Sequence, residues 1–221
     1  MTAPSSGADR SRRRLVLLRH GQTAWNLQLR GQGQSDIPLD EEGHRQAAAA
    51  AAYLSIREPV GLWCSDLSRA VQTCGYLEER TGLSAKQDAR LREYDLGERE
   101  GMELGAFVER YPAEHESWES RDDTVLVPGA ESTAEVQARM VAALGEILDQ
   151  IGPGETAIAV SHGAAIQAAV CGLLGWPGEV AAQLRGLDNC AWAAVEQTPE
   201  RLRLLAWNES VRPGHDAPAT L

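Results

Sequence analysis

Apolar residues fall along this chain in short runs, each of which stops on a polar group. Leu15-Val16-Leu17-Leu18 runs into Arg19-His20-Gly21. Val60-Gly61-Leu62-Trp63-Cys64 runs into Ser65-Asp66-Leu67-Ser68-Arg69, and the run 156–161 ends at His162-Gly163. Runs of this length, apolar at successive positions, read as strands buried on both faces. A further strand is expected over 85–92, ending at Glu93, with two late strands near 190–195 and 202–207. Helix-period segments lie between them. One is opened by Asp40-Glu41-Glu42-Gly43 and continues through 47–54. One covers 67–80, with Ser65 or Asp66 as its cap. A long amphipathic one covers 132–150 and is stopped by Gly152-Pro153-Gly154. Another covers 164–174 and is stopped by Gly175 and Pro177, with a short helix at 178–185 after it. Strands alternating with helices predict an α/β fold, a mostly parallel central sheet with helices on both faces.

The pattern weakens in four places. Residues 1–13 lack periodicity and read as a disordered leader, and 211–221 as a loose tail, leaving 14–210 as one domain. The Gly- and Gln-rich stretch 27–36 reads as a loop. Beyond Gly101 a helix near 103–110, then Pro112 and a polar stretch to Pro128-Gly129, read as an insertion or lid.

If the strands are parallel, their carboxyl ends share one edge, which is where open α/β sheets bind ligands. That edge carries Arg19, His20, Arg69 and His162. Two guanidiniums and two imidazoles around one point suit a dianionic phosphoryl group, through charge and through bidentate Arg geometry. Arg69, in the first turn of its helix, opposes the helix dipole, and a bound anion offsets that charge. The first turn of the helix after His162 adds backbone donors. A neutral imidazole is a competent nucleophile at phosphorus. A leaving alkoxide then needs a proton donor, and Glu93 is the candidate, ahead of Asp95, Glu98 and Glu100. Arg30 and Gln32, on the loop beyond the first strand, are candidates for the rim.

Other readings of the same residues are weaker. Two histidines with nearby carboxylates suit a divalent metal, but two adjacent arginines repel one. Val160-Ser161-His162-Gly163 lacks the flanking glycines of a nucleophile elbow. Glu93 paired on the surface with Arg92 or Arg99 is the bland alternative to catalysis. Trp25, Trp63, Trp192 and Trp207 read as core.

Composition narrows the partners. A net charge of −11 over 221 residues disfavours nucleic acid and anionic membranes, since both require a basic surface. No apolar run approaches a membrane span, and none has the form of a signal peptide. Four cysteines without paired metal spacing read as reduced, buried thiols of a cytoplasmic protein.

Four motifs in order carry a family resemblance: Arg19-His20-Gly21; Ser65-Asp66-Leu67-Ser68-Arg69-Ala70; Leu91-Arg92-Glu93 with Gly97 and Glu100-Gly101; and Val160-Ser161-His162-Gly163. Together they resemble the phosphoglycerate-mutase-like branch of the histidine phosphatase superfamily, over roughly residues 14–210. The resemblance implies a phosphoglycerate-mutase-like fold, with His20 as the residue phosphorylated and Glu93 as acid and base. It implies that Arg19, Arg69 and His162 hold the phosphoryl oxygens. Asn26 would line the pocket, Gln32 and Gly33 its rim, and Gly163 would offer its backbone. It implies no metal and no cofactor, a small phosphorylated metabolite as substrate, and a homodimer.

Mutases of this branch carry a longer, basic insertion. Here the 102–127 region is short and acidic, with Arg110 and Arg121 its only cations, and Gln22 stands where mutases usually carry Glu. Both points favour water as the phosphoryl acceptor. Stretches 19–26, 30–36, 188–192 and 207–210 are similar to actinobacterial phosphatases of the branch. That likeness implies a small anionic ester such as glucosyl-3-phosphoglycerate, whose carboxylate Arg30 would contact. Ala130 departs from the common Pro-Gly-Gly-Glu-Ser pattern. Gln167, where α-ribazole phosphatases often carry Arg, counts against a cobalamin-pathway substrate. A phosphoglycerate mutase, a broad-specificity phosphatase and a non-enzymatic phospho-ligand sensor are the alternatives.

Overall fold

The computed structural model describes residues 12–120 and 124–211. The leader and tail expected from the sequence lie mostly outside these residues, and the first strand already begins at Arg13. In chain order the elements are β1 (Arg13–Arg19), α1 (Ala24–Leu27), α2 (Glu41–Leu54), β2 (Gly61–Cys64), α3 (Ser68–Thr81) and β3 (Ala85–Gln87). They continue with α4 (Leu104–Arg110), α5 (Pro112–Ser120), α6 (Thr133–Gln150), β4 (Thr156–Ser161), α7 (Gly163–Leu174), α8 (Gly178–Ala181), β5 (Trp192–Gln197) and β6 (Leu202–Glu209).

The strands form one sheet in the order β3-β2-β4-β1-β5-β6. β1 to β4 are parallel; β5 runs antiparallel to β1, and β6 antiparallel to β5. Strand alternation divides the core into two layers. Leu15 and Leu17 of β1 join Ala157 and Ala159 of β4 under α6 and α7, which contribute Val136, Met140, Leu144, Ile166 and Val170. Val16 and Leu18 join Ile158 and Val160 under α2 and α3, which contribute Ala47, Leu54, Cys74 and Leu77. Helices on both faces are the expected architecture, and they explain why β1 and β4 are apolar at every core position.

Local chemistry sets the helix starts. The Asp40 carboxylate accepts the Gly43 N–H at the head of α2, and Ser132 and Glu135 form a capping box at the head of α6. α3 differs from expectation, because neither Ser65 nor Asp66 caps it. The carboxylate of Asp36 reaches in from the loop before α2 and accepts both the N–H and the hydroxyl of Ser68 at 2.7 Å.

The chain departs from the predicted elements at other points. β3 stops at Gln87, and a 3₁₀ turn over Ala89–Leu91 follows, with the Asp88 side chain accepting from Arg90 N–H. Glu93 therefore lies on a loop rather than at a strand end. The segment after Pro112 is helical: proline at a first helical position gives up no hydrogen bond, so it starts α5 instead of breaking the chain. α1, which ends at the first residue of the expected loop, and α8 ending at Ala181 are smaller differences.

Candidate active site

Strand register brings the site together. Arg19 of β1 lies beside Ser161 of β4, and Cys64 of β2 beside Val160. The residues after these three ends, His20, His162 and the start of α3, therefore meet at one edge. The His20 N–H donates to Ser161 O at 3.0 Å, and the two imidazole centroids are 5.1 Å apart. His20 is 3% exposed, and His162 and Arg69 are fully buried. Gly21 serves packing. A Cβ there would lie 2.5 Å from Gly43 O, so this glycine admits α2 rather than a ligand.

Hydrogen bonds assign complementary tautomers to the two rings. His20 Nδ1 lies 2.7 Å from Gly21 O, an acceptor only, so Nδ1 carries the proton and Nε2 keeps its lone pair. His162 Nδ1 accepts from Arg69 Nε at 3.2 Å, so the proton of a neutral His162 is on Nε2. His162 Nε2 is buried without a hydrogen-bond partner among the described residues, and so is Arg19 Nε. Burial, with Arg69 and Arg19 adding to it, holds the His20 imidazole well below the usual histidine range. Burial, Arg69 and His20 do the same for His162.

Arg69 is fixed by backbone. It donates to Gly33 O at 2.6 Å and Ser35 O at 2.7 Å as well as to His162, which leaves two of its five N–H groups for a ligand. Burial pushes its pKa down to about 10, with Glu93, Asp36 and Glu100 opposing. Arg19 donates to Leu187 O, and burial lowers its pKa too. A Cβ on Gly163 would sit 3.3 Å from the Arg19 side chain, so this glycine makes room for the guanidinium. Buried guanidiniums of lowered pKa are under-compensated charges, and an incoming dianion compensates them.

Glu93 sits against the amino end of α7. Its carboxylate accepts from Ala165 N–H at 2.8 Å, Ala164 N–H at 3.2 Å and its neighbour Tyr94 N–H at 3.0 Å. The helix terminus expected to face the phosphoryl group thus holds the Glu93 carboxyl group, whose oxygens keep lone pairs free for a proton. Neither Arg92 nor Arg99 pairs with Glu93; Arg92 pairs with Asp66 at 2.6 Å. Of the other carboxylates considered, Glu100 clamps Gln34 and Ser35, Glu98 binds Tyr111 and Arg110, and Asp95 caps Gly97.

Arg19, His20, Arg69 and Glu93 open into a cavity of about 790 Å³ that Gln32 and Gly33 also line, whereas His162 is fully buried and is not among its lining residues. Two rim candidates turn elsewhere. Arg30 is drawn away, donating to Gly101 O and Glu103 at 2.8 Å each and lying over Trp25. Asn26 Oδ1 accepts from Thr23 and Asn189, which ties it into the α1 cap. Sequence reasoning missed the far side of the cavity, formed by Tyr94, Arg99, Phe107, Trp118, Leu126 and Trp176. From the 102–127 region, read as an acidic lid, Phe107 and a half-exposed Trp118 reach the cavity wall. The signal was present in the spacing of Phe107, Tyr111 and Trp118, a helical face only when Pro112 begins a helix.

The chain is similar to known proteins over most of its length. The family model for the histidine phosphatase superfamily (branch 1) matches residues 15–210. The chain is 37% identical over 222 residues to a glucosyl-3-phosphoglycerate phosphatase of Mycobacterium tuberculosis, covering 92% of this chain and 98% of that one. It is 37% identical over 186 residues to a probable phosphoglycerate mutase, GpmB, of Cronobacter sakazakii, covering 82% of this chain and 84% of that one. A solved mycobacterial glucosyl-3-phosphoglycerate phosphatase in complex with VO3 superposes with a TM-score of 0.84 at 38% identity, over 90% of this chain and all of that one. With its nucleophile-ready imidazole set among cationic donors at the edge of a phosphoglycerate-mutase-like sheet, the chain belongs to the histidine phosphatase superfamily and is a phosphatase.

Proposed function

We propose that this enzyme hydrolyses a small anionic phosphomonoester, glucosyl-3-phosphoglycerate or a close relative, through a phosphohistidine on His20. The observation that carries the reading is the pair of opposite tautomers: a lone pair on His20 Nε2 and unmet buried donors on His162 and Arg19. His20 Nε2 attacks phosphorus while the ester P–O bond breaks, and the leaving alkoxide takes a proton from the Glu93 carboxyl. The Glu93 carboxylate then takes a proton from water, whose oxygen displaces His20 and releases phosphate. Arg19, Arg69 and His162 hold the equatorial oxygens, where charge gathers as both displacements proceed. Gln32 and Gly33 border this site, and Gly163 admits Arg19 to it.

Cavity size favours a leaving group larger than a three-carbon acid, because about 790 Å³ falls in the range of sites for drug-sized ligands. Aromatic walls at Tyr94, Trp118 and Trp176 suit the apolar face of a pyranose. The name of the mycobacterial relative points the same way. A cytoplasmic setting is part of the proposal, supported by four buried thiols; a homodimer is carried by family likeness alone. Among the described residues no helix is long and apolar enough to cross a membrane.

The test is phosphate release from glucosyl-3-phosphoglycerate, the phosphoglycerates and sugar phosphates, by wild type and His20→Ala. Wild type is expected to release phosphate, and the variant to lose roughly 10³-fold or more. Turnover surviving in His20→Ala, or isomerised phosphoglycerate without phosphate release, overturns the reading.

A further inference from the structure

One cation in the cavity has no part in holding the phosphoryl group. Arg99, on the turn Gly97–Arg99, lines the same cavity as His20, Arg19 and Arg69. Its guanidinium lies 4.1 Å from the ring centre of Phe107 on α4 and 4.4 Å from that of Trp118 on α5. Among the described residues it forms no ion pair, whereas Arg90, Arg92, Arg110 and Arg139 each pair with a carboxylate. Burial pushes its pKa down to about 10, and no neighbouring acid opposes the shift, unlike at Arg69. Glu114, Glu119 and Glu131 also line the cavity, but none of them forms an ion pair with Arg99. Glu131 is already paired with Arg139.

Phe107 and Trp118 stand at 77° to one another, so they bound this cation on two sides without forming a hydrogen bond to it. A guanidinium's N–H donors lie in its own plane, along its edges. A planar group with two acceptor oxygens meets that edge with two parallel hydrogen bonds. A cation that is partly desolvated and unpaired is costly, so an arriving carboxylate is favoured beyond its bare attraction.

We infer that Arg99 is the receptor for a second anionic group, a carboxylate, on the leaving-group side of the phosphomonoester, and that it sets substrate preference. The inference rests on the phosphatase reading above and adds a residue to it. It also transfers the carboxylate contact from Arg30, which is satisfied by Gly101 and Glu103, to Arg99, whose own side chain is unpaired among the described residues. Because Phe107 and Trp118 sit on α4 and α5, that segment supports the residue that would receive the carboxylate.

The experiment compares 3-phosphoglycerate with glycerol 3-phosphate, which carries a hydroxymethyl group in place of the carboxylate, and uses p-nitrophenyl phosphate as reference. Wild type, Arg99→Gln and Arg99→Lys are assayed as full-length chains whose folding is checked by thermal melting. Wild type is expected to prefer the carboxylate substrate, and Arg99→Gln to lower that preference ratio about 10–100-fold, mainly through KM. Arg99→Lys keeps charge but loses the planar fork, so it is expected to restore the ratio in part. An unchanged ratio in Arg99→Gln, or no wild-type preference for the carboxylate, overturns the inference while leaving the phosphatase reading intact. An equal loss on all three substrates assigns Arg99 to bracing α4 and α5 and likewise overturns it. Failure of wild type to release phosphate from any ester overturns both.

Discussion

Each histidine owes its role to one hydrogen bond. Gly21 O takes the proton of His20 Nδ1, and Arg69 Nε donates to His162 Nδ1, so two identical side chains 5.1 Å apart become an electron-pair donor and a proton donor. In the proposed mechanism Glu93 is the third member, and its contribution separates by leaving group. A sugar or glycerate alkoxide needs a proton, whereas p-nitrophenolate leaves without one. Glu93→Gln is therefore expected to lower turnover of the alkyl esters roughly 10²–10⁴-fold. With p-nitrophenyl phosphate the same variant should give a burst near one equivalent of nitrophenol, then slow turnover while the phosphohistidine awaits its base. Rapid-quench measurement of the burst decides the matter: equal slowing of both phases would remove the acid role from Glu93.

At the scale of elements, α6 orients the loop that carries Glu93. Arg139 donates to the carbonyls of Arg90, Arg92 and Glu93 at 2.7–2.9 Å and pairs with Glu131, whose carboxylate also takes the Asp95 N–H. One side chain thus satisfies the backbone of a segment that belongs to no strand. Arg139→Ala strands those carbonyls, and is expected to cost about 2 kcal/mol of stability. If Arg139 positions Glu93, the variant also reproduces the leaving-group dependence of Glu93→Gln in weaker form. Ser132→Ala, which removes the α6 cap for about 1 kcal/mol, is expected to leave that dependence alone. Urea titration with the two-ester assay on both variants distinguishes positioning from plain destabilisation.

For the molecule as a whole, a site ready for a dianion is a stability burden at low pH. Both imidazoles are buried and their pKa values lie well below 6.5, so the unfolded chain binds more protons than the folded one below that pH. Stability then falls as pH drops through about 6.5 and continues to fall until the folded-state values are passed. Each imidazole contributes a slope of about 1.4 kcal/mol per pH unit in that window. Denaturant midpoints between pH 7.5 and 5 are expected to fall, and His20→Gln to make the slope shallower. A variant slope equal to the wild-type slope would mean that His20 is not neutral in the fold.

Most of the sheet edge was legible along the chain. Buried parallel strands write themselves as unbroken apolar runs, and the polar residue ending each run marks the sheet's carboxyl edge, which is why Arg19, His20, Arg69 and His162 were identifiable before any coordinates. Short β3 and the 3₁₀ turn behind it were not, since Arg139 and Ser161 hold that segment through contacts distant in sequence. Arg30 and Arg99 make the point sharply. Both are arginines on glycine-flanked loops, and nothing local distinguishes them. Packing gave one of them Gly101 and Glu103 as partners and left the other between two aromatic rings inside the cavity. Local pattern determined the strands, the caps and the chemistry at their ends. Tertiary contact alone decided which charges were satisfied and which remained available, because desolvation and pairing depend on neighbours that the order of residues does not name.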